Sequence, residues 1–124
     1  KAIDVLNRAL AIRKEKLGQD HWKTANTLVD IANVLGGQGK YEEAMEKYQQ
    51  VMPIYEKEYG NDSVNMATLM GNTAVTLMRQ GEYKEAMEKY NRSLAIYEKL
   101  YGMNHSQTIR TRKNIEILKR KMQT

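Results

Sequence analysis

GKYEEAMEKYQQVMPIYEKEYG, residues 39–60, returns 42 residues later as GEYKEAMEKYNRSLAIYEKLYG, residues 81–102, with 14 of 22 positions identical. A shorter and more divergent copy, KAIDVLNRALAIRKEKLG, opens the chain at residues 1–18. Under the same shift Ala2, Ala44 and Ala86 align, as do Ile12, Ile54 and Ile96, and Gly18, Gly60 and Gly102. A fixed period of this length marks a stacked array, in which each unit buries its apolar face against a neighbour.

Within the second copy Ala44, Tyr48, Val51, Met52, Tyr55 and Tyr59 recur at helical spacing and share one face. Glu42, Glu43, Glu46, Lys47, Lys57 and Glu58 occupy the other side, with Glu43–Lys47 and Glu85–Lys89 as supporting pairs four residues apart. This helix, type B, is expected at about 1–17, 41–59 and 83–101. Between the copies Ala25, Leu28, Ile31, Ala32 and Leu35, then Ala67, Met70, Thr73, Ala74 and Leu77, define a second stripe. These type A helices are expected at about 22–37 and 64–80, with a last one near 106–122. Nothing alternates with period two, so strands have no support.

Glycine punctuates the pattern. Gly18, Gly60 and Gly102 follow B helices, and Gly39 and Gly81 follow A helices, each suited to a left-handed residue that ends a helix. Asp20, Asp62, Ser63 and Asn104 offer side-chain oxygens for the next N-terminus. The reading is six helices in the order B, A–B, A–B, A. Ala32, Ala74, Ala44 and Ala86 let the paired axes approach closely, and Tyr48 and Tyr90 fill space between hairpins.

G-x-Y-x-x-A-x-x-x-Y, formed by Gly39, Tyr41, Ala44 and Tyr48 and again by Gly81, Tyr83, Ala86 and Tyr90, resembles the second half of a tetratricopeptide repeat. Leu28, Ile31, Ala32 and Leu35 resemble its first helix. The 42-residue period, L-G-Q-D-H at 17–21 and Y-G-M-N-H at 101–105 are similar to the long-helix variety found in kinesin light chains. The resemblance covers the whole chain. It implies an all-α, right-handed α-solenoid of stacked hairpins, read as a single domain. Its parts are a partial repeat at 1–18, repeats at 19–60 and 61–102, and a terminal capping helix at 103–124. HEAT-type repeats share the period but do not account for the recurring G-x-Y-x-x-A. Trp22 stands where the variety usually has proline, and Pro53, opposite Ala11 and Ala95, is expected to kink its helix. Glu116 and Lys119 replace the small and apolar residues of the other A helices, which reads as a solvated end.

The 124 residues contain no cysteine, so disulfides, thiolate metal sites and thiol catalysis are excluded. That fits a reducing compartment, and the expectation is a cytoplasmic protein. No apolar run approaches the roughly 18 residues of a membrane span. The chain begins in mid-repeat and reads as cut from something longer. Ile3, Leu6 and Leu10 on its first helix are then expected to lack partners, which offers a surface for homo-oligomer formation. His21 and His105 lie two repeats apart, and capping or loop packing accounts for them. No G-x-S-x-G, H-E-x-x-H or phosphate-binding loop is present, so no catalytic residue, metal or cofactor is expected and the chain reads as a non-enzyme. All eight tyrosines lie on B helices at repeat spacing, with Tyr55, Tyr59, Tyr97 and Tyr101 expected to be partly exposed.

The net charge of +5 is local. Arg110, Arg112, Lys113, Lys119, Arg120 and Lys121 oppose Glu116 alone on the last helix, while the remainder balances. About 100° around the A helices from their core positions lie Asn26, Asp30 and Asn33, then Asn72 and Arg79, then Arg110 and Asn114. In tetratricopeptide arrays the equivalent positions line the concave wall that holds extended peptides. Asp30, Asn72 and Asn114 form a column with one member per repeat, and an asparagine there both donates to and accepts from a peptide backbone. Arg110, Lys113 and Arg79 favour acidic residues. The implied partner is a protein or an extended, acidic peptide. Nucleic-acid binding through the basic last helix is the weaker alternative, because that helix has no aromatic residue to stack on a base.

Overall fold

The computed structural model describes residues 2–18 and 21–123. Among them are six α-helices and no strand: α1 (Ala2–Leu17), α2 (Trp22–Gly37), α3 (Tyr41–Tyr59), α4 (Val64–Arg79), α5 (Tyr83–Tyr101) and α6 (Ser106–Gln123). Each expected helix is present, with ends within one residue of those read from the apolar period. The chain forms two compact units, α1–α3 up to Gly60 and α4–α6 from Asn61. No helix among the described residues is long and apolar enough to cross a membrane.

In the first unit α2 packs against both α1 and α3. Its core is Ala25, Leu28, Ile31, Ala32 and Leu35 of α2 with Ala44, Tyr48, Val51, Ile54 and Tyr55 of α3. Burial of these apolar side chains, each worth about 1.5–3 kcal/mol for the larger ones, is what holds the hairpin closed. On α1 only Leu10 is buried. Leu10, expected with Ile3 and Leu6 to lack a partner, is buried on a helix that packs against α2. Val5 and Ile12 are 64% and 53% exposed. Helix α3 runs unbroken through Pro53, which lies on its exposed side.

In the second unit α5 packs against both α4 and α6. The core takes Ala67, Leu69, Met70, Ala74 and Leu77 from α4, Ala86, Tyr90, Ile96 and Tyr97 from α5, and Ile115 and Leu118 from α6. Buried threonines complete the core without an unmet hydroxyl where they donate back one turn, as Thr73 does to the Leu69 carbonyl at 2.7 Å and Thr111 to that of Gln107 at 2.8 Å.

The helix ends are sharp for identifiable reasons. At Gly81 φ is +86°, its N–H donates to the Met78 carbonyl at 3.0 Å, and the Glu82 N–H donates to the Leu77 carbonyl at 2.9 Å. That is a Schellman ending, which any side chain with a Cβ would strain. Gly60 and Gly102 differ from the left-handed helical residues expected there. Their φ of 84°, with ψ of 169° and 175°, lies in a region open essentially to glycine alone.

The N-terminal caps are a partial correction. Ser63 Oγ accepts from the Met66 N–H at 3.1 Å, as expected. Asp62 instead pairs with Lys99 Nζ at 2.9 Å. The positions equivalent to Ser63 are His21 and His105, whose Nδ1 atoms accept from the N–H groups of Lys23 and Gln107, each at 3.1 Å. The histidines are therefore helix caps, and Asn104 is not the acceptor at α6. Asp20 lies outside the described residues.

Candidate functional site

Helices α4, α5 and α6 enclose a cavity of about 290 Å³. Its deep lining comes from Ser93, Tyr90 and Tyr97 of α5 and Thr111 of α6, all buried. Gly71 and Val75 of α4 stand half-buried beside them. The hydroxyls of Ser93, Tyr97 and Thr111 at this depth are committed to the fold. Ser93 Oγ donates to the Ala67 carbonyl at 2.8 Å, and the hydroxyls of Tyr97 and Thr68 are 3.1 Å apart.

The rim is different. Asn72, Gln107 and Asn114 are half-buried and Arg110 is exposed. Their side chains make no hydrogen bond or ion pair within the described residues, and no carboxylate lines the cavity. The helical period explains the arrangement. On α4, Asn72 lies two residues after Met70 and one before Thr73, both buried, so it projects from the edge of the packed stripe. On α6, Asn114 and Arg110 stand beside Ile115 and Thr111 in the same way. Three carboxamides that both donate and accept, with one guanidinium, suit a peptide backbone with a nearby carboxylate.

Of the eight residues expected to form the site, Asn72, Arg110 and Asn114 are brought together here. Lys113 is not in the cavity. It lines a shallower depression with Ser106, Ile109 and Arg110. Arg79, at the exposed end of α4, lies outside the lining too, although its positive charge acts on Tyr90. Burial raises the Tyr90 phenol above its usual range, and Arg79 offsets part of that.

In the first unit Asn26 and Asn33 serve the hairpin itself. Their Oδ1 atoms accept from the Tyr55 and Tyr48 hydroxyls of α3. Asp30 is exposed on the same helix. Tyr55 and Tyr97, expected to be partly exposed, are each only 6% exposed. Tyr55 meets Tyr59 edge to face at 5.3 Å, and Tyr97 stacks on Tyr101 at 5.9 Å, so the long ends of the B helices are occupied by rings packing on rings.

Burial, then the neighbouring Tyr59 and Asp30, push the Tyr55 phenol from 10.0 up to about 12. The folded state therefore favours the neutral phenol. The stability this contributes is complete below pH 10.0 and disappears as the pH rises towards about 12. Thermal unfolding midpoints should fall over that window, and Tyr55→Phe should flatten the decline. A variant that keeps the full wild-type slope would exclude Tyr55 as its source.

The basic residues of α6 are partly spent. Arg112 donates to the Met103 carbonyl at 2.7 Å and lies 3.8 Å from Glu98, and Lys119 lies 3.9 Å from Glu116. No group of three His, Asp or Glu that could hold a metal ion occurs among the described residues. Reading the sequence missed Gly71, Ser93 and Gln107. The signal was a departure from the repeat, because Gly71 stands opposite Val29 and Ser93 opposite Val51 under the 42-residue shift.

The sequence pattern of the tetratricopeptide repeat matches over residues 1–57, 24–99 and 65–123. The fold is similar to the nearly identical TPR-like repeats of a Podosopora anserina protein of the kinesin light chain kind, with a TM-score of 0.85 at 20% identity. That match covers 94% of this chain and 55% of the other. BtubC (BKLC) from P. vanneervenii gives 0.81 at 19% identity, covering 93% of this chain and 45% of the other. The chain thus spans about half the length of these structures. No match was found among curated proteins. With the repeat pattern running across the chain and the hairpins built as its signature requires, the chain belongs to the tetratricopeptide repeat family and has an all-α, TPR-like solenoid fold similar to that of the kinesin light chain-like repeats.

Proposed function

We propose that the chain is a protein-interaction module that holds an extended peptide, acidic residues favoured, on the A-helix face centred on the α4–α6 cavity. Tetratricopeptide repeats generally mediate protein–protein interaction. One observation carries the finer reading: Asn72, Gln107, Asn114 and Arg110 converge on one cavity with their polar groups unspent and no carboxylate beside them. The asparagines bind the peptide backbone. Arg110, with Lys113 and Arg79 flanking it, binds the acidic side chains. Within the first unit taken by itself, Asn26, Asp30 and Asn33 on α2 are proposed as a peptide contact of their own, each asparagine acting through its amide N–H groups.

Asn72→Ala should weaken all peptide ligands alike, by about 1 kcal/mol for one neutral hydrogen bond. Arg110→Ala should weaken acidic peptides selectively, with a loss that shrinks as salt rises, since exposed charges are screened over about 8 Å at physiological ionic strength. Titration of a charged and an uncharged peptide series against both variants separates these effects. Wild-type affinities throughout for Asn72→Ala would remove the backbone-reading role. Nucleic-acid binding, the weaker alternative, predicts a steep fall in affinity with salt for a single-stranded oligonucleotide and indifference to Asn72→Ala.

A further inference from the structure

The residues of α6 divide cleanly between two sides. Thr108, Thr111, Ile115 and Leu118 are buried on one. At about 100° per residue, Ile109, Arg110, Lys113, Ile117, Arg120 and Lys121 fall within an arc of about 120° on the other, and each is exposed. Charge is sorted in the same way. Arg112 and Lys119 stand outside that arc, where Glu98 and Glu116 lie 3.8 and 3.9 Å from them. Arg110, Lys113 and Arg120 make no ion pair among the described residues. Ile109 and Ile117 lie among these cations and are 38% and 45% exposed. With Arg110 and Lys113, Ile109 lines an open depression of about 400 Å³ that has no carboxylate in its lining.

We infer that this exposed face of α6 docks on an anionic lipid surface. The basic side chains meet the phosphates and carboxylates of the headgroups, and Ile109 and Ile117 reach the apolar boundary beneath them. A lipid surface has a counterpart for each half of the pattern, a plane of negative charge outside and acyl chains directly below. The basic residues extend from Arg110 to Lys121, about 16 Å along the helix axis, so a plane engages them together. Nucleic acid matches the charge alone. Single strands are held by rings that stack on bases as well as by cations, and α6 has no aromatic residue. A contact of this kind lies on the membrane surface and needs no spanning helix. Lipid docking shares Arg110 and Lys113 with the proposed peptide site but uses neither Asn72 nor the depth of the α4–α6 cavity.

The test is co-sedimentation at low salt with vesicles of phosphatidylcholine, alone or with about one-third phosphatidylserine. Wild type should bind the phosphatidylserine vesicles and not those of phosphatidylcholine alone. Lys113→Ala and Arg120→Ala should each weaken binding about fivefold, the worth of one basic residue at an anionic surface. Ile117→Ser should weaken it too, by a factor that persists as salt rises, whereas the cost of a lost charge shrinks. These three substitutions replace exposed side chains, so unfolding midpoints should match wild type. Lys57→Ala, which removes the same charge from an exposed position on α3, and Asn72→Ala should both bind as wild type does. Equal binding to the two vesicles, or an Ile117→Ser variant as tight as wild type, overturns the inference. So does a Lys57→Ala variant weakened as much as Lys113→Ala, because net charge and not this face would then be responsible. Weakened vesicle binding by Asn72→Ala would move the contact into the cavity and overturn it as well. A single-stranded oligonucleotide that displaces the vesicles, and binds wild type and Ile117→Ser alike, would give the face to nucleic acid instead. The expected pattern upholds the docking face whether or not any peptide binds.

Discussion

Truncating Leu118 to alanine is expected to destabilise the protein by about 2–5 kcal/mol, the range for deleting a fully buried aliphatic side chain. Leu118 is 0% exposed, and α6 has little else to hold it. Its other buried residues are Ile115 and two threonines, and its outer surface is charged. The loss should therefore be concentrated in α6, with hydrogen exchange over residues 106–123 rising before that of α4 and α5. Because Arg110 and Asn114 ride on this helix, the proposed function has peptide affinity falling with it. Differential scanning calorimetry and exchange measured together provide the check. An unchanged unfolding midpoint would mean that α6 is anchored by something other than this side chain.

The second large effect is expected from the opposite change. Ala86→Leu adds volume at a site that is 0% exposed, early in α5 where that helix lies against α4. Overpacking of this kind costs about 1–3 kcal/mol, because neighbouring side chains are driven off their rotamers or the backbone shifts. Ala95→Leu, on the exposed side of the same helix, is the matched control and should stay within about 0.5 kcal/mol of wild type. If the two variants unfold alike, the small-residue contact between α4 and α5 is not where the helical register puts it.

The helices and their order were legible in the residues because two signals agree along the whole chain, an apolar period near 3.6 and glycines at each turn. Side-chain roles at the helix ends were less so. His21 and His105, read as capping or loop-packing residues, do cap through a ring nitrogen, whereas Asp62, expected to cap, pairs with Lys99, and Asn104 is not the acceptor at α6. Burial of Tyr55 and Tyr97 escaped notice because it depends on the opposing helix, where Asn26 and Thr68 meet their hydroxyls. Asn72, Arg110 and Asn114 could be placed on one face from spacing alone. The cavity between them could not, since it is made by what is missing at Gly71 and Ser93, and a periodic pattern records side chains that are present.

The charge on α6 has a kinetic consequence. Six basic residues against one acidic residue sit on a single helix, and the rest of the chain is neutral. Concentrated on one helix, that charge sets up a local positive field which, on the proposed function, steers an approaching acidic peptide. Collisions are thereby biased towards orientations in which α6 faces the incoming chain. Arg110 sits on that helix and lines the cavity, so on the proposed function the same charges that attract a peptide also aim it.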